Sequence, residues 1–164
     1  MTLLRIILIR ENSVWKPIYV TASDTENTSE KCPCKTFICE VEIDDEAGTI
    51  TFTIFERFNG KSTQTIIKET KQEDGVYPAG DDCIKELQTI QLSDDVLIVI
   101  IVKVDAAGNE SKVLEVLAKV CDTTDEVLQK IKELLKEKGI SENNLQKVLC
   151  LDVCLIKEDA AKTN

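Results

Sequence analysis

The sequence contains no histidine, which removes at once the commonest general base, the usual base of a nucleophilic triad and the commonest metal ligand. Aromatic residues are 4% of the chain, with a single tryptophan, so a ligand that depends on ring stacking finds few partners. Positive charge is short as well: 20 basic against 30 acidic residues give a formal net charge of -10. Such a chain repels phosphate backbones and anionic headgroups, so nucleic acid is not an expected partner. No apolar run approaches the ~20 residues that cross a bilayer, and membrane insertion is not expected. The longest run, Val96 to Val104, is interrupted by Lys103 and reads as a strongly buried strand.

Cysteine is abundant by contrast. Seven of them are many for a reducing compartment, and the odd number leaves at least one thiol unpaired or intermolecular. The compartment signal leans extracellular. Met1 to Ile9 is apolar around Arg5 but short and without a small-residue cleavage site, so it reads as a truncated signal sequence or a misassigned start. The length of 164 residues suits one domain over 1–164, able to bury roughly two-thirds of its extended surface.

The chain is rich in strand signals up to Val120. Val14 to Val20 forms the first strand, with Trp15 near its start, and Ser23 to Lys31 is a polar loop ending at Cys32-Pro33-Cys34. Lys35 to Ile43 alternates, placing Thr36 and Ile38 on one face and Phe37, Cys39 and Val41 on the other. The turn Asp44-Asp45-Glu46-Ala47-Gly48 leads to Thr49–Glu56, and Asn59-Gly60 is a hairpin signal before Ser62–Thr70. Asp74-Gly75 turns into a short strand around Tyr77. Asp81–Leu92, Val96–Val104 and, after Asp105-Ala106-Ala107-Gly108, Lys112–Val120 complete about eight strands. Tight turns between successive strands fit an antiparallel up-and-down β-barrel over about 14–120, with a sandwich as the main competitor.

One amphipathic α-helix follows, at about 124–138. Thr123-Thr124-Asp125-Glu126 offers a capping box, Val127, Leu128, Ile131, Leu134 and Leu135 recur at helical spacing, and Lys138-Gly139 stops the helix. Its apolar face is expected to pack on the outside of the barrel. Ser141–Leu149 reads as a further helical turn, and the tail 155–164 as polar and loose.

Chemistry is sparse. Cys32-x-Cys34 with Cys39 lacks the two-residue gap and fourth ligand of a structural zinc site, so a disulfide or buried thiols is the better reading and no metal or cofactor is assigned. Cys34 and Cys39 differ in strand parity and are expected on opposite sides of the wall. The acidic clusters Asp44 to Glu46 and Asp122 to Glu126 are turn and capping residues, and no catalytic constellation is present.

The spacing of Trp15 with Ile18-Tyr19, of Glu40 to Gly48, of Thr70 to Tyr77, of Val104-Asp105 with Gly108, of Lys119, and of Lys138-Gly139-Ile140 before Glu142-Asn143-Asn144 resembles the odorant-binding and pheromone-carrying branch of the lipocalins. The resemblance runs from Trp15 to Cys154. It implies an eight-stranded barrel around a dry cavity and a secreted carrier of small hydrophobic molecules. The cavity wall it implies includes Val20, Cys34, Thr36, Ile38, Phe52, Ile54, Ile67, Leu87, Ile101 and Leu117. Strand alternation independently pairs Thr36 with Ile38, Phe52 with Ile54, and Val99 with Ile101 on shared faces. Lys85 falls at a position that is polar and cavity-facing in the family; facing inward, its pKa is lowered by desolvation and its amine suits an aldehyde. Lys119 is expected over the Trp15 ring, closing one end of the barrel.

The departures from the family pattern are Ser13 in place of a glycine two residues before Trp15, Ser62 in place of the cysteine that pairs with the Cys154 position, and Val120 in place of a glycine. The last reduces backbone freedom between barrel and helix, so a domain-swapped homodimer is weighed beside a monomer. Two functions compete: a non-enzymatic carrier of small apolar molecules, and a secreted interaction protein that keeps the barrel around a collapsed cavity.

Overall fold

The structure, a computed structural model, describes residues 13–22, 34–58, 61–79, 84–104, 107–120 and 123–148. The hairpin signal Asn59-Gly60, the loop Ser23 to Lys31, Asp105-Ala106 of the later loop, the Cys34 side chain, Cys154 and the tail lie outside the described residues.

Eight antiparallel strands form the barrel: β1 (Ser13–Ala22), β2 (Cys34–Asp44), β3 (Thr49–Phe58), β4 (Lys61–Thr70), β5 (Val76–Pro78), β6 (Ile84–Gln91), β7 (Val96–Val104) and β8 (Glu110–Ala118). Their lateral order is β4-β3-β2-β1-β8-β7-β6-β5, each strand beside its sequence neighbour except where β1 joins β8. That one non-sequential pairing bends the meander round into a nearly closed barrel and rules out the sandwich. At the seam between the end strands, Tyr77 of β5 reaches across. Its hydroxyl accepts the Gln72 N–H at 2.9 Å, and its ring meets Phe52 of β3 edge-on at 5.5 Å.

Two bulges set which side chains face inward. In β2 the register slips between Ile38 and Glu40, with Ile38 opposite Ile54 and Val41 opposite Phe52. The extra residue at Cys39 switches the parity, so Val41 and Ile43 join Ile38 on the inner face. The simple alternation that places Val41 on the opposite face from Ile38 is therefore corrected. In β1 a similar slip between Pro17 and Tyr19 leaves Trp15 inside and turns Ile18 outward.

β7 is apolar throughout because both its faces are buried. Leu97, Val99 and Ile101 point into the barrel, whereas Val96, Ile98, Ile100 and Val102 point out beneath the helix. The helix α1 (Asp125–Glu137) lays Ile131 and Leu135 on that outer surface, joined by Val116 and Ala118 of β8 and Ile18 of β1. Each fully buried side chain of this kind contributes about 1.5–3 kcal/mol before entropy is subtracted. Thr124 is the N-cap, its hydroxyl accepting the Val127 N–H at 3.2 Å. Val127 thus holds the position where a complete capping box needs an acid, and only half of the box forms. Beyond Gly139 the expected further helical turn is a short 3-10 helix, Glu142–Asn144, followed by a two-residue strand β9 (Gln146–Lys147) on β1.

Gly75 and Gly48 both turn the chain at φ 69°. A Cβ at Gly75 meets the Thr89 carbonyl oxygen at 2.6 Å, whereas one at Gly48 meets nothing within 4 Å. Gly48→Ala is expected to cost about 1–2 kcal/mol from left-handed strain alone. Gly75→Ala must cost more, because backbone has to move as well; equal urea midpoints for the two variants contradict this.

Candidate functional site

The inward side chains form one continuous apolar surface. Ile38, Phe52 and Ile54 from β2 and β3 are fully buried, with Ile67 of β4 packed against them. On the opposite wall Leu87 stands across from Ile101, and Val99, Ile101 and Leu117 are likewise fully buried in the same cluster. Val20 is half-buried and its register partner is the inward residue Glu115. Thr36 is half-buried opposite Glu56, and its hydroxyl oxygen is buried with no hydrogen-bond partner. Cys34 lies at the start of β2.

Lys85 does not face this interior. It occupies a register slip in β6 between Ile84 and Glu86, and the bulge turns it outward, half exposed, into an ion pair with Glu110 of β8. The hydrogen bond and charge of Glu110 raise its pKa above 10.5 instead of lowering it. The expected inward amine is therefore absent from the barrel interior, and Lys85 stays protonated at neutral pH. Lys119 Nζ lies 4.8 Å from the centroid of the Trp15 ring, as expected for that pair.

Several inward residues went unnamed in the sequence. Glu115 is fully buried, sharing the inward parity of Val113 and Leu117. Its carboxylate accepts the backbone N–H of Ile38 at 2.8 Å. This contact has a structural cause. β1 pairs with β2 only from Ser13 to Trp15, and beyond that the strands part, so the bulged backbone of β2 takes its acceptor from β8 across the interior. Lys103 and Glu56, 5% and 7% exposed, share the strand faces of Ile101 and Ile54. Parity with Leu117 is a signal that marks Glu115 in the sequence; the β2 bulge that brings Val41 and Ile43 inside has none.

Cys39 is disulfide-bonded. That agrees with reading the cysteines as a disulfide set, and it removes Cys39 from any soft-metal cluster with Cys32 and Cys34.

Lys119→Ala is expected to lower stability by about 0.5–2 kcal/mol and to shift the emission of the sole tryptophan, since it strips the cation from one ring face. Glu115→Leu leaves the Ile38 N–H buried without this acceptor and is expected to cost about 1–3 kcal/mol in urea unfolding. Glu115→Gln keeps a carbonyl acceptor and falls between it and the parent.

The chain's residues 12–149 match the model of the lipocalin / cytosolic fatty-acid binding protein family. An odorant-binding protein of Bos taurus is 30% identical over 131 residues, 80% of this chain and 82% of that protein. A second odorant-binding protein, from Phodopus sungorus, is 24% identical over 140 residues, 85% of this chain and 93% of that protein. Among solved structures, a deswapped triple mutant of bovine odorant-binding protein superposes with a TM-score of 0.63 at 29% identity, covering 83% of this chain and 91% of that one. Hamster aphrodisin shares the fold with a TM-score of 0.66 at 20% identity, over 87% of this chain and 97% of its own. With a family match over that span, around a nearly closed eight-stranded barrel with one helix outside, the chain belongs to the lipocalin family.

Proposed function

We propose that the protein is a non-enzymatic carrier that takes small hydrophobic molecules into the barrel interior. The observation that carries this is the inner face itself: strands from opposite walls present fully buried aliphatic side chains to one another, with Phe52 and Tyr77 among the few rings. Binding to such a wall comes from removing apolar area from water, about 25 cal/mol per Å², with shape setting the choice among ligands. The names of the Bos taurus and Phodopus sungorus relatives point the same way. Secretion is part of the proposal. It is supported by the disulfide at Cys39 and by relatives named for the lacrimal and submandibular salivary glands of Mesocricetus auratus. We take the working form as a monomer, because α1 already covers the outer apolar surface of its own β7 and β8; a dimer on a sizing column at high concentration reverses that choice.

A second reading, a secreted interaction protein with a collapsed interior, is favoured by one feature, the buried inward carboxylate of Glu115 bonded to the Ile38 N–H. Displacement of a fluorescent apolar probe separates the two. The carrier reading expects saturable binding, competed by an aliphatic alcohol or aldehyde, and folded protein that binds no probe supports the second. Ile101→Phe, which enlarges an inward side chain, is expected to weaken the probe roughly tenfold, about 1.4 kcal/mol. Ile66→Phe, at a position 65% exposed on β4, should change nothing. Borohydride treatment with an aldehyde is expected to label Lys85 no more than the other exposed lysines, because its amine is paired with Glu110 outside the barrel.

A further inference from the structure

We infer that Asn109 carries an N-linked glycan, a site that rests on the secretion proposed above. The chain holds two Asn-x-Ser/Thr triplets, Asn27-Thr28-Ser29 and Asn109-Glu110-Ser111. The first lies outside the described residues. A triplet of this kind also arises by chance, so what decides is its place in the fold.

A branched sugar is bulky and solvated, and an asparagine within a packed strand face cannot carry one. Asn109 stands elsewhere. It ends the connection between β7 and β8, one residue before β8 begins at Glu110. Ala107, Gly108, Asn109 and Glu110 are all exposed. Gly108 turns the chain at φ 86°, and a Cβ built on it meets nothing within 4 Å, so the space around the turn is open. Asn143 of the 3-10 helix is exposed as well, but Leu145 stands two residues on, where the triplet needs a hydroxyl.

The rest of the triplet fits the same role. The Glu110 side chain is turned to Lys85 on the outside of the barrel, which keeps it off its neighbour. Ser111 is half-buried and faces Lys103 in the β7–β8 ladder. Its hydroxyl is most accessible before that ladder forms, so the sugar is added to the nascent chain and the folded barrel then holds Asn109 outward. The co-reactant is an oligosaccharide carried on a polyprenyl diphosphate. Its anomeric carbon bonds to Asn109 Nδ2 as the bond from that carbon to the diphosphate oxygen breaks; the diphosphate leaves with the electron pair, and the amide nitrogen gives up one proton. Asn109 precedes the nine-residue strand β8 and Lys119 follows it, so the sugar stands about 30 Å along the strand from the Trp15 contact.

The test uses the full chain with Asn27→Gln, made in mammalian cells behind a supplied secretion leader and collected from the medium. Trypsin isolates Asn109 in residues 104–112. When a glycan-releasing amidase acts in heavy-oxygen water, a glycosylated Asn109 becomes an aspartate that carries that oxygen. The expected result is this label in residues 104–112, together with a gel shift that the amidase removes. Asn109→Gln and Ser111→Ala should each abolish the shift, and Ser111→Thr should keep it. Residues 104–112 recovered from the medium with an unmodified asparagine overturn the site, as does a shift that survives Ser111→Ala. The leader separates the two proposals: an empty Asn109 in the medium leaves secretion standing, whereas natural protein found only inside cells removes secretion and the site with it.

Discussion

Everything in this barrel depends on β7 being buried on both faces. One face of the strand belongs to the interior and the other to the floor beneath α1, so the wall between interior and helix is a single layer of backbone. A strand in that position can carry no polar side chain without a partner along most of its length, and the sequence from Val96 to Val102 has none. Lys103 comes where the strand nears its end. The two hydrophobic clusters are therefore coupled: a side chain that moves in one has to shift the backbone that the other packs on.

The junction at β1, two strands away, is built differently. β1 is shared, pairing with β2 at its start and with β8 over the rest, and the edge it leaves open beyond Trp15 takes up β9. Where β1 and β2 part, the Ile38 N–H is accepted by Glu115 of β8, on the far side of β1. A buried carboxylate is costly unless hydrogen-bonded, and a buried N–H has the same requirement; here each answers the other. The inward carboxylate of Glu115 is thus explained by wall geometry before any ligand is invoked.

The order of strands and the helix were legible because they rest on local signals: turn residues at Asp74-Gly75, alternation in Thr49–Glu56, helical spacing from Val127 to Leu135. The Trp15 and Lys119 pair could be named because the family pattern carries both positions, and the two groups stand 4.8 Å apart. The bulges were not legible. Each adds one residue to one strand and inverts the parity after it, and neither Cys39 nor Ile18 nor Lys85 differs in kind from an ordinary strand residue. Lys85 shows the consequence most clearly. A register that advances without interruption carries it towards the interior; one extra residue sends it out to Glu110.

Parity errors of this sort matter more for site residues than for fold. A barrel tolerates a wrong assignment of faces in one strand, since topology follows from pairing order and turn length. The interior does not, because its chemistry is the list of inward side chains. Val41 and Ile43 add aliphatic surface to the wall while Lys85 leaves it; Glu115, Lys103 and Glu56 add charged groups that went unnamed in the sequence. The β2 bulge also takes Cys39 out of the run of inward side chains. Bulges thus decide which side chains of this sequence line the interior, taking Val41 and Ile43 in and Lys85 out.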